Sequence, residues 1–169
     1  ERWTPTASPV VGLWYAKNVT PAVGTHTVTI TYIPGTPPNI AITAVIDEFS
    51  GIDKTSPLDQ TAVKKTATTN VIDVGPTGAT IQSEELVCVA GASISASTHT
   101  VGAGYSNFHT TSPAVAQVSM QSKVVSVIGT QSGEINSSNA SNSIGLIATF
   151  KGVLAGGGFL VLLMKRGRT

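Results

Sequence analysis

The histidines, the single cysteine and the carboxylates are the residues of this chain that could carry chemistry. Nucleophilic catalysis needs a Ser or Cys beside a base and an orienting acid. His26, His99 and His109 lie in no local hydrolase signature, and residues 91–95 lack the closing glycine of a nucleophile elbow. HExxH, CxxC and EF-hand patterns do not occur either. The sequence therefore predicts a protein that is not an enzyme and that has no cofactor.

Three aspartates offer a candidate cation site. Asp53 and Asp59 flank a predicted loop and, together with Asp47, could surround Ca²⁺, because hard cations take several oxygen ligands. The alternative, which we favour, is that these side chains cap turns. Asp47 and Glu48 are adjacent, so on a strand they point to opposite faces and cannot act as a carboxylate pair. We therefore predict no metal site.

The cysteine lies in the apolar segment 85–90, which is typical of a buried strand. A single cysteine cannot form a disulfide within the chain. Buried free cysteines usually behave as small hydrophobic residues. We therefore expect Cys88 to be a core residue and not a reactive thiol.

A few aromatic residues could form a ligand platform. Trp3, Trp14 and Tyr15 offer flat apolar faces with a polar edge, which suits stacking against a sugar ring. On a strand, however, Trp14 and Tyr15 alternate, so only one of the two faces outward. Aromatic residues make up only 5% of the chain, which favours core packing over sugar binding for this set.

The composition favours strands over helices. Charged residues make up 11% of the chain, against roughly 25% in an average soluble domain. Thr and Ser take the place of the charged residues, and as polar surface residues they suit a sheet better than a helix. The net charge of +1 gives no electrostatic case for nucleic acid, and the basic group at 165–168 is interpreted as a solvated tail.

The hydrophobic pattern has the period of β-strands. Residues 25–33 alternate between apolar and Thr positions, as a half-buried antiparallel strand does. Loops are predicted at 50–60 and, from a Ser- and Asn-rich stretch, at 136–142. Further strands are predicted at 10–19, 39–49, 71–74, 81–95, 105–109, 114–120, 123–129 and 143–153. This spacing predicts an all-β fold, an antiparallel β-sandwich of jelly-roll type.

Six short segments form an ordered set of motifs, at residues 13–18, 27–30, 47–59, 85–89, 102–105 and 148–151. They correspond in order to the motifs "WYAKN", "TVTVT", "EYSGVD…SPLD", "ELLVG", "AGAGY" and "ATFK". With this motif order the chain resembles a widespread bacterial and phage β-sandwich family. The resemblance implies a jelly-roll-like domain of large secreted, cell-surface and tail-associated proteins. It implies no enzyme activity and no catalytic residue.

The chain departs from this family at both ends. Family members carry one or two strands before "WYAKN", where this chain has only residues 1–9. A sandwich domain at 1–154 is followed, at 155–169, by a glycine hinge, an apolar strand and a basic tail. We hypothesise that this strand fills the groove of the missing strands, in its own domain or in a neighbouring subunit. Its residues are Phe159, Leu160, Val161, Leu162, Leu163 and Met164.

These observations predict a non-enzymatic structural subunit of an extracellular or virion-surface assembly, such as a filament, coat or decoration. Its partners are copies of itself, bound through sheet edges and by donor-strand exchange. The alternative is an adhesion module of a secreted or phage tail protein that binds cell-surface glycans. No transmembrane span is predicted, because the apolar run at 159–164 is too short to cross ~30 Å of hydrocarbon.

Overall fold

The computed structural model describes residues 2–3, 10–19, 27–31, 43–94, 96–111, 117–153 and 158–167. These residues contain strands and no helix, so the predicted all-β class is confirmed. No helix that could span a membrane is found in this part of the chain. The strands are β1 (Arg2–Trp3), β2 (Val10–Lys17), β3 (Thr43–Ile52), β4 (Leu58–Val74), β5 (Glu85–Ser93), β6 (His99–Thr100), β7 (Ser106–Thr110), β8 (Gln117–Val125), β9 (Gly133–Lys151) and β10 (Gly158–Gly167).

The strands form two antiparallel sheets. Sheet A has the order β1-β2-β10-β3, and sheet B has the order β4-β9-β5-β8-β7, with β6 added against β9. The predicted strand at 159–164 is therefore present as part of β10, and it lies inside sheet A. The chain leaves sheet B at the end of β9 and returns to sheet A as β10.

The two sheets share one apolar core. Val11 and Val45 of sheet A pack into the same cluster as Cys88, Met120 and Phe150 of sheet B. Burying a Val, Leu, Ile, Phe or Met side chain stabilises a fold by about 1.5–3 kcal/mol. This cluster holds the sheets together, while the β-sandwich of jelly-roll type stays a prediction.

A second apolar core covers the opposite face of sheet B. Every residue of β5 is buried, because its even positions face sheet A and Val87 and Val89 face this second cluster. The cover consists of the late part of β4 and the early part of β9, represented by Ile72 and Ile135. Gly91 leaves room for it, since a Cβ there would lie 2.9 Å from Ile135 Cδ1.

Several predicted boundaries are wrong. The stretch 27–31 is not a strand and most of it is exposed, so the predicted strand at 25–33 is not formed across these residues. Residues 136–142, predicted as a turn, belong to β9, and residues 58–60 of the predicted loop begin β4. The predicted strands at 114–120 and 123–129 correspond to one strand, β8, which ends at Val125.

Candidate assembly surface

The last strand, β10, is an interior strand of sheet A and lies between β2 and β3. Residues 160–167 pair with β2 and residues 158–166 pair with β3, so both edges of β10 are hydrogen-bonded. Without β10 the facing edges of β2 and β3 would be left unpaired, and unpaired edges recruit other strands. The predicted assembly residues Phe159, Leu160, Val161, Leu162, Leu163 and Met164 all lie in β10, of which the structure describes the backbone.

The connection into β10 starts and ends at one corner of the molecule. The Val153 N–H donates to Gly51 O at 2.9 Å, and Gly158 pairs with Ile52. Before that, the Gly152 N–H donates to Glu84 O at 3.0 Å, which fixes the end of β9. Of the predicted glycine hinge at 156–158, residues 156 and 157 lie outside the described residues, and Gly158 begins β10.

The outer face of sheet A carries exposed apolar residues. Trp14 is 44% exposed and Ile46 is 45% exposed. Both are opposite Leu163 in the ladders, so the three positions form one row across the sheet. The indole of Trp14 covers Gly12, since a Cβ at Gly12 would come within 2.3 Å of the ring. This row offers an apolar contact surface.

The predicted aromatic platform is divided between the two faces of sheet A. Tyr15 points inward, and its ring meets Phe150 edge-to-face with 5.5 Å between centroids. Trp14 points outward, as the alternation along β2 requires. Trp3 lies in β1 opposite Val11. Of the two side chains in this set that the structure describes, Trp14 is exposed on the outer face, and Tyr15 remains 40% exposed although its ring contacts Phe150.

A second apolar surface, the apolar tip, consists of Ile81, Val124, Val127 and Ile128, all of which are exposed. Two segments meet there, because the Thr77 N–H donates to Gln131 O at 2.9 Å and the Thr80 N–H donates to Gly129 O at 3.1 Å. This surface was not predicted, because the apolar residues at 123–129 indicated a strand buried on both faces. The run of β-branched residues was the available signal, and exposed apolar clusters of this kind mark contact sites.

His99 lies in a buried network of hydroxyl groups. Its Nε2 is 3.0 Å from Ser93 Oγ, and its Nδ1 is 2.8 Å from Ser119 Oγ. Burial lowers the pKa of His99 to about 4, so the ring is neutral at pH 7. Both serines are fully buried, and no substrate can reach them in this structure. The network packs β6 onto sheet B.

The aspartates of the predicted cation site serve different contacts. Asp53 caps a turn, since its Oδ1 accepts from the Thr55 N–H at 2.7 Å and the Ser56 N–H at 2.9 Å, and these bonds lower its pKa. Asp47 Oδ1 lies 3.2 Å from His109 Nε2 and so joins β3 to β7. Burial raises the pKa of Asp47, and His109 partly offsets the effect. Across the described residues, no three His, Cys, Asp or Glu side chains lie close enough to hold a metal.

The remaining residues considered for chemistry are buried or outside the described part. Cys88 is fully buried, and burial raises the pKa of its thiol well above the ordinary value. A thiol in this state is a poor nucleophile. His26 lies outside the described residues. These groups therefore form structural contacts, and the exposed apolar surfaces are the candidate contact sites of the described residues.

No protein family, curated protein or solved structure matches this chain. The resemblance to the bacterial and phage sandwich family accordingly stays a prediction.

Proposed function

We propose that this chain is a non-enzymatic structural subunit that assembles with copies of itself by exchanging β10 between neighbouring subunits. The observation that carries the proposal is the position of β10, the last strand, between β2 and β3. A strand paired on both sides makes the same hydrogen bonds whether its own chain or a neighbour supplies it. Exchange of an identical element is therefore a low-cost route to an oligomer.

The length of the connection limits how subunits can exchange the strand. Five peptide steps separate Val153 from Gly158, and an extended chain covers at most ~18 Å over that length. Because Gly158 pairs with Ile52 across a strand spacing of ~5 Å, the Ile52 of an accepting subunit would lie within ~23 Å of the donor's Val153. Exchanging subunits would thus meet at the corner formed by Gly51 and Ile52.

The composition and the surface support assembly as well. A surface with few charges loses little hydration when two copies meet. The row of Trp14 and Ile46 and the apolar tip supply apolar area that would gain from burial. The extracellular or virion-surface setting of the assembly is part of the proposal and rests on the family resemblance.

An engineered disulfide tests the exchange. Ala44 of β3 and Lys165 of β10 are opposite each other in the ladder. The variant Ala44→Cys/Lys165→Cys, in a Cys88→Ala background, is oxidised and run on a non-reducing denaturing gel. Exchange predicts a ladder of covalent oligomers, and Lys165→Cys alone predicts none beyond a dimer.

Two results would overturn this assignment. One is oligomers in solution that dissociate into internally cross-linked monomers on the gel, which would place β10 in its own chain. The other is a monomer in light scattering at every concentration tested, which would exclude self-assembly.

The second candidate function is glycan adhesion, which the exposed indole of Trp14 favours. An exposed aromatic ring offers a stacking surface to a sugar. A glycan array would then detect binding that Trp14→Ala abolishes and Tyr15→Phe, on the inner face, leaves intact. Equal binding by both variants would reject this role for Trp14.

A further inference from the structure

Glu85, the first residue of β5, is the most unusual polar group in the described structure. Its side chain is 0% exposed, and neither carboxylate oxygen makes a well-formed hydrogen bond, although the Thr149 hydroxyl and the Gln82 N–H lie near enough to lower its pKa in part. An isolated buried carboxylate is too costly to stay ionised, so such a group neutralises. The state of Glu85 therefore depends on its neighbours.

The neighbours of Glu85 include one carboxylate and one cation. Asp59 of β4 is close enough to raise the pKa of Glu85, although burial is the larger cause. On the β9 side Lys151 is opposite Glu85 in the ladder. On the β8 side the partner is the uncharged Val125. The adjoining Glu84 is exposed.

Asp59 holds the segment 75–84 against sheet B. Its Oδ2 accepts from the Ile81 N–H at 3.0 Å, and its Oδ1 accepts from Gln60 Nε2 at 3.2 Å. Gln82 Nε2 donates to Gly152 O at 2.9 Å and fixes the same segment a second time. Of the two carboxyl groups, Glu85 is the fully buried one, and burial raises its pKa.

We propose that Glu85 is protonated beneath the segment 75–84 and donates to Asp59, and that loss of this proton releases the segment from sheet B. A protonated Glu85 becomes a donor, and the Asp59 carboxylate is its acceptor. With Glu85 ionised, two carboxylates would face each other, and they would separate. Since Asp59 binds the Ile81 N–H, the segment moves with it.

A divalent cation is the alternative to the proton. No third His, Cys, Asp or Glu side chain joins the pair among the described residues. Both oxygens of Asp59 already accept N–H bonds, which reduces their capacity as ligands. A proton needs neither further ligands nor a cavity, so the geometry favours it.

The direction of the pH effect follows from the raised pKa of Glu85. The closed state binds the proton more tightly than the open state, so closure is favoured at acid pH. Between the ordinary value of 4.5 and the raised pKa, opening releases one proton. Over that interval the opening constant rises about tenfold per pH unit, and above it the constant levels off.

Hydrogen exchange at the Ile81 N–H tests this switch, with protection corrected for the intrinsic exchange rate and with EDTA present. Wild-type protection falls as pH rises. Glu85→Gln keeps protection constant with pH, because the amide Nε2 donates to Asp59 without titrating. The control Glu84→Gln, at the exposed neighbour, behaves as wild type.

Three outcomes would overturn the switch. The first is wild-type protection that does not change with pH. The second is Glu85→Gln protein that retains the pH dependence of the wild type. The third is Ca²⁺, added at constant pH, restoring the protection that deprotonation removes, which would identify a cation site in place of a protonated Glu85.

Discussion

Lys64 and Asp73 form an ion pair although they belong to the same strand, nine residues apart. An extended strand would place them ~30 Å apart. Strand β4 therefore folds back on itself, and its ladder with β9 shifts register between Thr66 and Val71. Thr68 has a φ of 40° at this bend. The late part of β4, paired with the early part of β9, covers the second apolar core.

We expect the ion pair itself to contribute little to this fold-back. Both side chains are nearly half exposed, and exposed pairs are worth about 0–1 kcal/mol. Asp73→Asn should therefore lower the free energy of unfolding by less than about 1 kcal/mol in urea denaturation. A double-mutant cycle with Lys64→Ala isolates the coupling. A coupling above ~2 kcal/mol would mean that the charges, and not the apolar contacts, hold the ribbon closed.

The contact between Gly91 and Ile135 should be far more sensitive. A Cβ at Gly91 would lie 2.9 Å from Ile135 Cδ1, so Gly91→Ala should destabilise the protein by about 1–3 kcal/mol through overpacking. Ile135→Val, which removes that methyl group, should restore part of the loss in the double variant. Gly129→Ala is the control, since nothing lies within 4 Å of its Cβ position. Equal effects of Gly91→Ala and Gly129→Ala would contradict the close packing.

His99 should make the protein sensitive to acid. The pKa of His99 is lowered to about 4 in the folded protein. Below pH 6.5 the unfolded chain therefore binds a proton at His99, whereas the folded protein binds it only near pH 4. Stability is fully present above pH 6.5 and is lost as pH falls toward 4, by at most about 3 kcal/mol. Glu85 acts in the opposite direction, so the comparison is made in a Glu85→Gln background.

Urea denaturation between pH 4 and 7 measures the effect. His99→Gln, which keeps a polar side chain without a titrating ring, should flatten the pH dependence of the unfolding free energy. An unchanged slope would show that His99 is protonated inside the fold or that another group dominates.

The strand content could be predicted from the sequence, because β5 and β10 are apolar runs too short for anything but strands. The bend in β4 and β9 could not be predicted, because the polar residues of β9 at this bend have the composition of a turn. Ser137 and Ser141 lie in a stretch whose composition indicates a loop, yet both are buried in β9. The Ser137 hydroxyl finds a local hydrogen-bond partner, since its Oγ donates to Asn139 O at 2.9 Å. Composition records polarity but not whether a hydroxyl finds a partner inside the fold.

The candidate surface was predicted in part, for a related reason. The position of β10 in a sheet follows from its apolar run, but its placement between β2 and β3 depends on pairings distant in sequence. The apolar tip was missed because Val127 and Ile128 have strand propensity, and propensity does not report exposure. The carboxyl pair of Glu85 and Asp59 was missed because the two residues are 26 positions apart.

The apolar tip should take part in association without contributing to the fold. Val127 is 74% exposed, so Val127→Ser should change the unfolding free energy by no more than about 0.5 kcal/mol. If the tip is buried between copies, the same change should shift light-scattering profiles toward smaller species at equal concentration. Val101→Ser, at another exposed valine, serves as the matched control. Identical profiles for the wild type and both variants would remove the tip from the assembly surface and leave β10 and the outer face of sheet A as the contacts.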